Sequence, residues 1–573
     1  MPEDLLTIEE AADLLGASPA TVKRMCVAGR LDSYKIGRSW VIKADSLRRP
    51  STRRRERVRR PASTSMQLDF DLAVRQLRSH DLKRDLWVPD ILNHQDDLAD
   101  GSHLIAAAAD RVDNPLGAFD APIRIPVPKS PIFPRNATNL TLVDRVAYHA
   151  IVANFALLIE SELTDASYAA RVRGDGRRNV WLKNGRNQWI RWKNDVIRAI
   201  EQNSWVVEAD MTAYFDLIKH EILLPEIQAL GVPPNVVNAL REMLRTWSST
   251  PNTGLPQGPD ASRVLANFYM APIDAEMLRN DQIGYFRYMD DIRIVAPSKG
   301  AAIRALHVLD SECRRRGLAL STQKTLLKRG PSARRDLSDR ELDAIQYLFA
   351  VVPEDSSELR DKLRQLFQKA TETRAFDRRR AGFAIFRLFV LRDQSILSRV
   401  LARLEQVATL GWLVPAYLLP WLRRSSVQER VADYLEDEDR NVSAYLSTWL
   451  LAALLDLRPG IHPRLFRYAR KVALDRDEPT FHRAVALSVF ALNGSDRDLA
   501  RVEEIALREH DPEIIRACMV GLARACHHSK RVNDRITREG SLDQTTSYLR
   551  GRNSYPSLIF PGTFVDGEQA RRA

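Results

Sequence analysis

The chain is poor in the residues that would place it in several familiar classes. It has only four cysteines, Cys26, Cys313, Cys518 and Cys526, in 573 residues. No two of them form a Cys-x-x-Cys pair. That argues against a zinc ribbon and a disulfide framework, and it suits a reducing compartment. No run of about 18 apolar residues occurs, so no segment reads as a membrane span. The opening "MPEDLLTIEEAADLL" is acidic and amphipathic, not basic and apolar, so it does not read as a secretory signal. The expectation is a cytoplasmic protein with no membrane partner. Acidic charge is also short, with 74 Asp and Glu against 86 Lys and Arg, a net charge of +12. That balance favours a polyanionic partner, nucleic acid first.

What is present is enough for large cores. Apolar residues make up 45% and charged residues 28%, and the length calls for several domains, a multidomain α+β protein. Residues 1–47 read as a small unit. Thr7 and Glu10 form a capping box ahead of an apolar face, Gly16 ends that helix, and Ser18-Pro19 starts a second. "DSYKIGRSWVI" then reads as a short hairpin turning at Gly37-Arg38. Residues 48–65 form a linker with eight arginines between 48 and 60. It reads as disordered when free and able to neutralise phosphates. Residues 66–350 alternate helical and strand patterns, and "IQYLFAVVPED" reads as a last strand and turn. Residues 351–540 are helical. Acidic turns followed by amphipathic helices recur at roughly 35–40 residues, the spacing of a HEAT-like repeat. A polar tail, 541–573, follows.

The sharpest chemical signal is "YFRYMDDIRIVAPSK". Asp290 and Asp291 interrupt a run of strand-forming residues. Two adjacent carboxylates there repel each other and lose water, so they call for positive charge. "WVVEAD" is another apolar strand, and it ends on Asp210. If the strand ends meet, three carboxylates converge, a donor set suited to Mg²⁺ together with substrate phosphates. Two such ions about 3.5–4 Å apart would serve phosphoryl transfer.

The order of motifs carries a resemblance. "DMTAYFD" at Asp210, "TGLPQGPDASRVLANFYMAPID" at 253–274, "YMDD" at 288–291 and "RRRGLALSTQKT" at 314–325 follow "IPVPKSPIFPRNATNLTLVDRVAYHAIV" at 125–152. This set resembles the reverse transcriptases and implies right-hand polymerase fingers and palm within 66–350. The resemblance implies catalytic Asp210, Asp290 and Asp291 holding two Mg²⁺ ions, with Mn²⁺ as an alternative, and a backbone carbonyl of Met211 on one ion. It implies nucleotide contacts from Phe215, as a steric gate against ribose, and from Gln257, Gly258, Lys324, Lys129, Arg135 and Arg171. Asp216 reads as a helix cap instead. Residues 1–47 resemble the excisionase/MerR-type winged helix-turn-helix, which implies DNA contacts from Thr21, Lys23, Arg24 and Arg38.

One departure is informative. "PQGP" is followed by "DAS", where Ser more commonly follows the second Gly directly. With the Arg-rich segment 167–192 and the long helical extension, this resembles the bacterial defence-associated and abortive-infection reverse transcriptases, in which a HEAT-like domain takes the place of the thumb. That implies antiphage DNA synthesis from dNTPs, on a noncoding RNA template or untemplated and primed from the protein. The implied partners are RNA, the DNA product, duplex DNA at the N-terminal unit, and a second copy of the chain. Two alternatives stand beside it: a mobile-element reverse transcriptase targeted by its helix-turn-helix, and a DNA-binding regulator with a scaffold polymerase domain. In "RRNVWLKNGRNQWIRWK", Trp189 and Trp192 read as core, with stacking on single-stranded bases as the competing reading.

Overall fold

The structure is a computed structural model. It describes residues 5–6, 22, 26, 33–36 and 39–43 of the N-terminal part. From 68 to 539 it describes all residues but 83–86, 92–93, 95–96, 99–100, 131–132, 175–180, 202–203, 352, 354–355, 373–375 and 458–459. The chain divides into two compact units, 1–65 and 66–573.

In the first unit β1 (Leu5–Leu6), β2 (Ser33–Ile36) and β3 (Ser39–Lys43) form an antiparallel sheet in the order β1-β3-β2. Ile36 pairs with Ser39 across the hairpin, and Val22 and Cys26 are buried. The capping-box residues, the turn at 37–38, Thr21, Lys23, Arg24, Arg38 and the linker lie outside the described residues.

The second unit begins with α1 (Phe70–Gln76), capped by the Asp69 carboxylate, which accepts from Leu72 N. A hairpin of β4 (Ile123–Pro128) and β5 (Pro134–Asn139) follows. Next come α2 (Leu142–Glu162) and α3 (Gly185–Ala199). By length and apolar character α2 would cross a membrane, but 67% of its apolar window is buried within the protein.

The central sheet is antiparallel throughout. It consists of β6 (Trp205–Ala209), β7 (Gly284–Tyr288), β8 (Asp291–Ala296) and β9 (Leu326–Arg329), in the order β7-β8-β6-β9. Its interior strands are apolar on both faces because both are covered. Val207, Ala209, Ile292 and Ile294 join the core formed with α2 and α4 (Asp260–Tyr269). Val206 and Val295, paired in register, face a smaller core with Trp192 and Val196 of α3.

Residues 340–351 form a helix, α5 (Arg340–Val351), where the sequence reads as a strand and turn. Leu342, Ile345 and Phe349 recur at helical spacing and are all buried, so tertiary packing overrides the β-forming composition. From there to 539 every regular element is helical among the described residues, including α6 (Arg378–Val390), α7 (Ala444–Ala453) and α8 (Thr480–Asn493). The helices pack largely against near neighbours in sequence. This region shares one core with the β4–β5 hairpin, through Ile125, Val127 and Ala137. Trp449 of α7 donates its indole N–H to the Trp87 carbonyl at 3.3 Å, and Arg516 pairs with Asp97.

Candidate active site

Register brings the three carboxylates to one end of the sheet. Ala209 lies opposite Ile292, so Asp210 leaves β6 beside the start of β8, where Asp291 pairs with Tyr288 across the hairpin. Met289 and Asp290 make the two-residue turn. Met289 holds φ +59°, a left-handed conformation that costs a non-glycine residue about 1–2 kcal/mol. The segment from 314 to 325 lies alongside. Ser321 N donates to the Asp210 carbonyl at 2.7 Å and Thr212 N to the Ala319 carbonyl at 2.9 Å. This pairing delivers the exposed Lys324, whose ammonium forms an ion pair with the Asp210 carboxylate.

The electrostatics match the need for cations. Burial raises the Asp290 pKa, and the charge of Asp210 raises it further, while Lys324 and Lys129 oppose the shift. Burial likewise pushes Asp291 up to about 6. Arg293 opposes that shift, and Asp290 and Asp210 add to it. Among the described residues no group of three or more His, Cys, Asp and Glu side chains is arranged to hold a metal ion. The donors fit a divalent ion nonetheless. Mg²⁺ takes one or two carboxylates and completes its shell with water and phosphate oxygens, and these acids repel one another until a cation comes between them.

The strain at Met289 is held from below. Arg287 points inward from β7 and is fully buried. Its guanidinium donates to both Asp274 oxygens, at 2.7 and 2.6 Å, to the Met289 carbonyl at 3.1 Å and to Ser167 Oγ at 3.0 Å. Tyr285 donates to the same Asp274 at 2.9 Å. The sequence reading passed over this network. Its signal was an arginine on the inward parity of a strand, beside the inward Tyr285, which demands a buried acid.

Gln257 and Gly258 lie against the β4–β5 hairpin. The Gln257 carbonyl accepts from Thr138 N at 3.0 Å, and its side-chain amide donates to Asp216 at 3.2 Å. Asp216 therefore serves Gln257 and is not the cap of the following helix, which starts after Lys219. Gly258 has φ +145°, and a Cβ there would lie 2.7 Å from the Trp87 indole nitrogen and 3.3 Å from the Thr138 carbonyl. Gly258→Ala is expected to lower stability by about 1–3 kcal/mol, read from the urea midpoint. Trp87→Ala in the same chain should recover only part of this, because the backbone strain stays.

Phe215 lies half-buried against Tyr214, ring centroids 5.5 Å apart. Lys129 is exposed beyond β4 and acts on both Asp290 and Asp216. Arg135 lies on β5 opposite Val127, and its charge acts on Arg378 and Tyr445 of the helical region. Arg171 is not brought to the carboxylates. It pairs with Glu160 at 2.9 Å and donates to the Thr164 and Ser167 carbonyls at 2.9 and 2.7 Å, so its guanidinium braces the loop. Trp192 is fully buried, and the half-buried Trp189 packs edge-on to Tyr288 at 5.0 Å.

Residues 159–348 match the family described as reverse transcriptase (RNA-dependent DNA polymerase). Residues 5–49 match the helix-turn-helix domain family. No curated protein matches the chain. Among solved structures it is similar to apo telomerase from Candida Tropicalis, at 10% identity over 73% of this chain and 73% of that one, with a TM-score of 0.27. It is also similar to telomerase from Candida albicans in complex with a fragment of telomeric RNA, at 10% identity over 71% of this chain and 57% of that one, with a TM-score of 0.23. With Asp210, Asp290 and Asp291 gathered inside the matched domain, the chain is an enzyme of the RNA-directed DNA polymerase class, carrying a helix-turn-helix domain at its N-terminal end.

Proposed function

We propose that the chain joins dNTPs into DNA at Asp210, Asp290 and Asp291 and works in antiphage defence. The observation that carries the catalytic part is the group of mutually repelling carboxylates at adjoining strand ends, partly relieved by Lys324. Asp210, Asp290, Asp291 and the Met211 carbonyl would hold two Mg²⁺ ions, with Mn²⁺ able to substitute. Held by these residues, such ions would supply activation of the attacking 3′-hydroxyl and stabilisation of the leaving pyrophosphate. In this reading Lys324 would neutralise the triphosphate and give the leaving pyrophosphate a proton. Phe215 would reject a ribose 2′-hydroxyl, and Gln257, Gly258 and Lys129 would contact the incoming nucleotide.

The defence role rests on the "PQGP-DAS" departure and on the helical region that follows the palm directly. That region is read as a HEAT-like domain in place of a thumb. The N-terminal unit would hold duplex DNA through Thr21, Lys23, Arg24 and Arg38. The buried Cys313 and Cys518 and the exposed Cys526, all free thiols, suit a cytoplasmic setting.

The test is nucleotide incorporation by the purified chain, with and without added RNA template and primer, and with the bound nucleic acid sequenced. DNA covalently attached to the protein would identify protein priming. Phe215→Ala is expected to admit rNTPs at least tenfold better relative to dNTPs. An unchanged ratio would remove Phe215 from the gate. Equal protection against phage by wild type and Asp290→Asn would sink the catalytic role in defence.

A further inference from the structure

The loop carrying Gln257 and Gly258 runs straight into α4, and that helix begins without a cap of its own. Its N-cap is Pro259, which has no side-chain oxygen to offer the first amides. A carboxylate from another element supplies what Pro259 lacks. Asp81 accepts from Asp260 N at 2.7 Å, across 179 residues of sequence. Its neighbour His80 donates through Nδ1 to the Asp260 carboxylate at 2.7 Å. Both belong to one π-helical turn, Leu77–Asp81, that continues α1. Such turns are rare and recur at functional sites. This one brings two consecutive side chains to a single residue. From the other sides the Trp87 indole lies against Gly258, and Thr138 N donates to the Gln257 carbonyl at 3.0 Å.

As a device for stability alone this arrangement is poor. Asp81 and Asp260 are fully buried, and Arg145 is 1% exposed. Arg145 of α2 donates to Asp81 through Nε, yet its Nη2 is buried with no partner. A buried ion pair with an unsatisfied nitrogen stabilises a fold less than well-packed apolar residues of the same volume. What it does supply is an oxygen at a fixed point, and with it the place where α4 begins and the loop ends.

We infer that Asp81 and His80 are positioning residues for the polymerase reaction: with Asp81 braced by Arg145, they fix the start of α4 and so set where Gln257 and Gly258 stand against the incoming nucleotide. This role rests on the reading of that loop as a nucleotide contact. Its effect falls on nucleotide binding and not on the chemical step, because the loop would touch the nucleotide equally before and in the transition state.

Two double variants separate position from charge. Asp81→Leu/Arg145→Met removes the oxygen. Asp81→Asn/Arg145→Gln removes the same charges but keeps an amide oxygen for Asp260 N, and the glutamine amide ends where Arg145 Nε stands. In nucleotide incorporation against dNTP concentration, the first should raise KM about tenfold with kcat changed less than about threefold. The second should stay within about twofold of wild type in both. Equal KM in the two doubles would overturn the inference. His80→Phe leaves the buried pair in place. It should raise KM about threefold, and His80→Asn, with Nδ2 in the place of Nδ1, should restore it. If either double loses its fold by circular dichroism, His80→Phe decides, and a KM equal to that of wild type overturns the inference. Gln257→Ala reports on the loop itself. An unchanged KM there removes the nucleotide role of the loop and this role with it. A raised KM there, with both doubles matching wild type, removes the role of Asp81 and His80 alone.

Discussion

Asp290→Asn and Asp210→Asn are each expected to lower dNTP incorporation by on the order of 10³-fold, about 4 kcal/mol of transition-state stabilisation. The folded chain should be no less stable, and more stable without metal. Asp290 and Asp291 hold their protons more tightly folded than unfolded, because burial and neighbouring carboxylates disfavour their charge. For Asp291, raised from 3.8 to about 6, the stabilising contribution is complete below the unfolded value and disappears as pH rises through about 6. The metal-free protein should therefore melt at a higher temperature at pH 5 than at pH 7 on account of this group, and Asp291→Asn should flatten that dependence. Adding Mg²⁺ at pH 7 should raise the melting temperature of wild type, and much less that of Asp290→Asn. A magnesium-dependent shift of equal size in both proteins would remove Asp290 from the metal site. Asp291→Asn should lose less activity than Asp290→Asn, since Arg293 already partly compensates its charge.

The second large effect lies beneath the turn. Arg287→Met leaves Asp274 charged and fully buried, and should destabilise the chain by about 3–5 kcal/mol. Arg287→Lys should not rescue it, because one ammonium cannot reproduce the bidentate pair and also reach the Met289 carbonyl. Arg287→Met/Asp274→Leu separates the two roles of the arginine. Replacing both charges with apolar groups should restore much of the stability. Incorporation should stay depressed, because nothing then donates to Met289, whose strained backbone sets Asp290. Full activity in the double variant would show that Arg287 serves only the fold.

The convergence of the acids was legible because they break a local rule: Asp210 follows one apolar strand and Asp290 lies in the turn between two others. Arg287 was hidden because its partner, Asp274, belongs to another element and is met only after folding. Arg171 misled in the opposite sense. An arginine in a basic segment reads as a phosphate clamp, yet Glu160 and two carbonyls occupy it. Residues 347–351 misled because Tyr347, Phe349 and Val351 alternate like a strand, while the buried positions Leu342, Ile345 and Phe349 follow a helix. Arg135 reads as a nucleotide contact, but strand parity puts it on the hairpin face that the helical region covers.

The core shared by the β4–β5 hairpin and the helical region sets a timetable for synthesis. Asp97 must wait for Arg516, 419 residues later, and Trp87 for Trp449, 362 residues later. At about 5–20 residues per second, a ribosome needs roughly 20–80 s to cover the longer interval. Until the helices that begin with α5 emerge, the apolar face of Ile125, Val127 and Ala137 lacks the cover they supply, and a lone two-stranded hairpin is marginal in water. The polymerase part therefore cannot be completed as the nascent chain emerges. It closes only after nearly the whole chain is made, so a ribosome stalled before residue 340 leaves a sticky hairpin for chaperones to hold.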